Sequence, residues 1–122
     1  MKKLTNKELK NKQKLIENMD ISLGELLNEI HYMEIAIKRM EEKFENKNEH
    51  YLSIVEHYRE TVEFYRFDFA RFEHIRNLAV AGKITLEKLK MYSDIIKDVI
   101  VGIQKTSDTV VRICIVEGAV AD

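Results

Sequence analysis

Apolar residues recur at alternating intervals of three and four along three stretches of this chain, the spacing of one buried face on an α-helix. The first stripe runs Ile16, Met19, Leu23, Leu26, Ile30, Met33, Ile37, Met40, Phe44. The second runs Tyr51, Val55, Tyr58, Val62, Tyr65, Phe69, Phe72. A reversal at Asn46-Lys47-Asn48-Glu49 brings the two into register, with Phe44 facing Tyr51, Met33 facing Val62 and Leu23 facing Phe72. A rival reading carries one helix straight through this junction. Its seam would then hold Lys47, Thr61 and Asp68, too polar for a coiled-coil seam. The hairpin has no such defect until Met19 meets Arg76.

The pattern predicts an all-α fold, an antiparallel bundle of three long helices with coiled-coil-like packing. Thr5 and Glu8 have the spacing of a capping box, so the first helix spans about 5–46. Ser22-Leu23-Gly24-Glu25 offers a second start, and a break near Gly24 would make four helices. The stripe passes Gly24 in phase, which favours continuity. The second helix runs about 50–80 and stops at Ala81-Gly82-Lys83, with Gly82 as a left-handed cap. The third restarts at Thr85, with Ile84 and Leu89 spaced as a hydrophobic staple. Its stripe is Leu89, Tyr92, Ile96, Val99, Ile103, Thr106, Val110, Ile113. Turned back at Gly82, that stripe meets the second helix, with Ile96 at Phe72 and Ile103 at Tyr65.

The first helix is the longest, so residues 1–15 find no partner on the second. They project, pack on another subunit or fold back as a short fourth helix. Residues 118–122 are expected to fray. The whole chain, 122 residues, is one domain's worth and long enough to bury a core without metal or disulfide. Proline is absent and glycine occurs four times, which suits long helices.

Charge and chemistry narrow the function classes. The net charge of −1 creates no global field for nucleic acid or anionic membrane. Locally, Lys2, Lys3, Lys7, Lys10, Lys12 and Lys14 face only Glu8 and Glu17 within residues 1–19. Eight acids against four bases in residues 20–49 compensate. The lysines form a candidate basic patch, but without arginine or interleaved aromatics any nucleic-acid binding would be nonspecific. Cys114, the only cysteine, permits no internal disulfide or thiolate cluster. It sits in an apolar run that blunts a thiol. No run approaches the length of a membrane span, and a cytoplasmic location is expected. The Lys-, Glu-, Asn- and Ile-rich composition leans towards a bacterial or phage source.

No Glu-x-x-His pair of the kind di-iron bundles use surrounds His31, His57 or His74. No serine sits in a nucleophile-elbow turn, and no glycine-rich phosphate loop occurs. The expectation is a protein that is not an enzyme, with no cofactor and no metal.

What remains is surplus apolar surface. Beyond the stripes, the chain carries Phe64, Phe67, Ile75, Leu78, Met91, Ile95 and Ile100. Phe64-Tyr65-Arg66-Phe67-Asp68-Phe69 packs four rings into six positions, and a helix cannot turn all four to one side. These residues are the candidate interface, and the leading reading is a helical interaction protein (adaptor, inhibitor or accessory factor) acting through protein–protein contacts as a homo-oligomer, most simply a dimer. A nucleic-acid-associated protein using the lysine-rich start is the first alternative. The second is a ligand-binding bundle, with Arg76 and Tyr92 as the candidate anion-binding pair.

Overall fold

Three helices carry almost all of the chain in the computed structural model, which describes residues 3–45 and 49–121, with side chains to 116. They are α1 (Asn6–Phe44), α2 (Glu49–Val80) and α3 (Leu86–Ala121). Among the described residues there is no strand. The capping box forms as the spacing predicts. The Glu8 amide donates to the Thr5 hydroxyl and the Thr5 amide to the Glu8 carboxylate, both at 3.1 Å. From that start α1 runs unbroken through Gly24 for 39 residues, about 58 Å of helix.

Asn46, Lys47 and Asn48, within the expected first turn, lie outside the described residues. On either side the chain has doubled back: the Phe44 and Tyr51 rings lie 4.6 Å apart. Further along the hairpin, Glu41 pairs with Arg59, Glu34 with Arg66 and Asp20 with Arg76. α1 and α2 are therefore antiparallel and in the expected register.

The second turn follows from glycine's access to a left-handed backbone. Gly82 has φ of 71°, and the Lys83 amide closes on the Leu78 carbonyl at 2.9 Å. Thr85 then caps α3 by accepting from the Lys88 amide at 3.2 Å. Ile84 packs against the same core as the buried Leu89. The segment expected to fray is helical as far as Ala121.

α3 departs from the expected pairing. It packs chiefly along α1, and its contact with α2 is the smallest of the three. α1 and α3 run parallel, as shown by Gln104 donating to Glu29 at 3.3 Å and Lys43 donating to the Cys114 carbonyl at 3.2 Å. The buried column of α3 is Leu89, Ser93, Ile96, Ile100, Ile103, Ser107, Val110 and Cys114. Tyr92, Val99, Thr106 and Ile113, expected in that column, are half-buried on its flank. The reason is side-chain size. Ser93, Ser107 and Cys114 on α3, with Ser22 and Ala36 on α1, are all buried. Their small side chains let the two backbones approach closely, and the Cys114 thiol reaches the Ala36 carbonyl at 3.9 Å.

The described part of the first fifteen residues takes none of the three expected arrangements and packs within its own chain. Leu4, Glu8 and Lys12 line a recess together with Ile84, Thr85 and Leu89, while Leu15 and Ile16 pack on the core. The start of α3 covers what α2 leaves bare.

Candidate interaction surface

α2 presents two faces of different character. Inward, Val55, Val62 and Phe72 are buried, with Tyr51, Tyr58, Tyr65 and Phe69 half-buried against the core. The helical step of about 100° turns Phe64 and Phe67 away from that side. They are 71% and 75% exposed and, with Glu60 and Glu63, line a shallow recess of about 240 Å³. Exposed side chains continue the face in both directions, with His57 below and Arg71 and His74 above. The Arg71 guanidinium lies 5.4 Å from the Phe72 ring centre and 3.4 Å from the Asp68 carboxylate one turn back.

The other residues of the expected interface separate. Ile75 and Ile100 are only 6% exposed and belong to the core. They cannot contact a partner without unpacking the bundle, so they are removed from the interface. The arc that three helices bury is wider than one stripe per helix, and both residues fall within it. Leu78 and Ile95 are half-buried, and Ile95 packs against the core. Met91 is 48% exposed but stands on α3. Phe64 and Phe67 are the contiguous remainder.

The candidate anion site is likewise corrected. Arg76 donates from Nε to Asp20 at 2.8 Å, from Nη2 to the other Asp20 oxygen at 3.3 Å, and to the Asn77 side chain at 3.3 Å. This bidentate fork holds the guanidinium pKa above its ordinary value, mainly through the hydrogen bond to Asp20 and then through its charge. Arg76 thus has an internal anion. Tyr92 packs half-buried against the core. Arg59 and Arg66 are engaged by Glu41 and Glu34 across the α1/α2 groove.

Two clefts between α1 and α3 have no counterpart in the apolar stripes. In one, Tyr32, Ile35 and Ile115 stand exposed around Cys114, beside Arg39 and Lys43, in a groove of about 340 Å³. Tyr32 and Ile35 lie off the apolar stripe of α1, and their only sequence signal is that they are large apolar residues on an otherwise polar flank. Burial pushes the Cys114 thiol pKa up, against the opposing pull of Lys43 and Arg39. The other cleft is polar, lined by Asn28, Glu29, Tyr32, Gln104 and Asp108. At its floor the buried Ser107 hydroxyl has no hydrogen-bond partner among the described residues.

No family model, curated protein or solved structure matches this chain. The surface chemistry therefore carries the functional reading alone.

Of the lysine patch, Lys3, Lys7, Lys10 and Lys14 are exposed, Lys12 is half-buried in the recess beside α3, and Lys2 lies outside the described residues. His31, His50, His57 and His74 are exposed and spread over two helices. Among the described residues no group of three or more His, Cys, Asp or Glu side chains is placed to hold a metal ion. Nor is any helix there long and apolar enough to cross a membrane.

Proposed function

We propose that this chain is a non-enzymatic, cytoplasmic helical interaction protein, an adaptor, inhibitor or accessory factor of a bacterium or phage, that works through protein–protein contacts as a homo-oligomer. One observation carries the reading: Phe64 and Phe67 stand together on the outside of α2, each more than two-thirds exposed. Two neighbouring rings in water are costly. Burying a phenylalanine side chain is worth about 1.5–3 kcal/mol, and aromatic residues are enriched in the desolvated centres of interfaces. Neither ring supports the bundle, whose core closes without them.

Sedimentation velocity of the full chain across the micromolar range tests this reading. A sedimentation coefficient that rises with concentration is expected. A monomer at every concentration would remove the homo-oligomer.

A second reading, nonspecific nucleic-acid binding, draws on the exposed Lys7, Lys10 and Lys14, which share one face of the first turns of α1. Such binding weakens steeply with salt. Deleting residues 1–14 and titrating duplex DNA at low and moderate salt decides it, since unchanged affinity or no binding at low salt excludes the arm.

A further inference from the structure

The outward face of α2 is complementary to itself. Positions 53, 57, 60, 64, 67, 71, 74 and 78 follow alternating intervals of four and three, the geometry of a coiled-coil seam. All are exposed except Leu78, which is half-buried. Two such helices can be laid antiparallel about a two-fold axis midway between Tyr65 and Arg66. Phe64 of each copy then meets Phe67 of the other, and Glu60 meets Arg71. One layer further out His57 meets His74, and Ser53 meets Leu78. Every layer has one residue from each half of the seam, as antiparallel packing requires. The flanks raise no like-charge clash, because Glu63 runs beside Ala70 of the other copy and Glu56 beside Asn77.

The charges at the seam are available. Glu60 makes no ion pair among the described residues, and Arg71 is held only by neighbours on its own helix, the Asp68 carboxylate at 3.4 Å and the Phe72 ring at 5.4 Å. The face is centred away from the core side of α2 and meets it only at its edges, where Glu60 borders the α1/α2 groove and Leu78 is half-buried. The apolar groove around Tyr32, Ile35 and Ile115 has no such internal complement, since its charged neighbours Arg39 and Lys43 are both basic.

We propose that two copies of this chain associate through α2, antiparallel, with the Phe64 and Phe67 rings at the centre and a Glu60–Arg71 ion pair on each side. The inference rests on the interaction reading above and specifies its partner, a second copy, and its register. A four-ring centre with a narrow polar rim belongs to the small, transient class of interfaces. The two-fold makes each contact occur twice, so a single substitution acts twice.

Charge reversal at the seam is the test, read by sedimentation equilibrium with circular dichroism to verify the fold. Glu60→Arg alone and Arg71→Glu alone each turn two attractions into two repulsions and should weaken the dimer by about tenfold. Glu60→Arg combined with Arg71→Glu in one chain should return the affinity to within about threefold of the wild type. The two single variants, mixed, should associate with each other better than either does with itself. If the wild type dimerises but the reversals change nothing, or the combined variant is no better than the singles, this register is overturned while the homo-oligomer stands. A wild type that stays monomeric, including one whose phenylalanine pair binds only a different protein, overturns both.

Discussion

Gly24 and Gly82 are the same residue under opposite constraints. Gly24 sits in ordinary helix, and a methyl group added there would meet nothing within 4 Å. Gly24→Ala should therefore raise stability by about 0.5–1 kcal/mol, chiefly by restricting the unfolded chain. Gly82, at φ of 71°, should lose about 1 kcal/mol on the same change because an L side chain is strained there. Urea titration of both variants checks the pair, and equal effects would contradict the assigned conformations.

Ser107 is a second residue-scale case. Its hydroxyl is buried without a partner, so Ser107→Ala should be stabilising, on the order of 1 kcal/mol; a clear loss instead would mean that the hydroxyl is bonded. Cys114 titrates with a stated sign. Its folded pKa is raised above the ordinary value by burial, so the native state holds the thiol proton more firmly than the unfolded chain. That contribution to stability is complete below the usual thiol range and is lost as pH rises through the folded value. Thiol labelling at mildly alkaline pH should be many-fold slower in the native protein than in denaturant. Much at this scale was legible in the sequence, including the Thr5–Glu8 box and the Gly82 cap, because each is a local motif. The Arg76 partner was not, because Asp20 lies beside the apolar stripe and stripe matching assigns no contact to a flank.

The elements were readable in number and order, and in extent except that α3 continues to Ala121 through the segment expected to fray; the α1–α2 register was readable rung by rung. Apolar periodicity reports both directly when the facing residues are large. α3 was read half a step out of phase because its buried column contains Ser93 and Ser107, which count as polar in any hydropathy pattern. Small residues mark close helix approach through their size, and a polarity pattern does not encode size. The assignment has a mutational signature. Ile100→Ala, at a position read from sequence as surface, should cost about 2–5 kcal/mol, as core truncations do. Val101→Ala, one residue on and 47% exposed, should cost no more than about 0.5 kcal/mol. Comparable losses at both sites would contradict the packing of α3 against α1.

For the whole molecule, the question is what covers the outside of α2. The crowding of rings at 64–69 was visible in the sequence, and so was the necessity that some point outward. Which apolar residues the bundle would absorb was not visible. Ile75 and Ile100 vanished into a core wider than the stripes, and the groove at Tyr32, Ile35 and Ile115 exists only once α3 lies against α1. Exposure is what distinguishes the seam face of α2 from the rest of the helix. Self-association through this face is what we propose. Its most direct test is sedimentation equilibrium of the wild type beside the variant Phe64→Asp with Phe67→Asp, whose helicity should be unchanged because neither ring is in the core. The wild type should rise with concentration from 14.4 kDa towards twice that mass, and the variant should stay at the monomer mass throughout. A wild type fixed at the monomer mass, or a variant that dimerises as well as the wild type, would exclude self-association through Phe64 and Phe67.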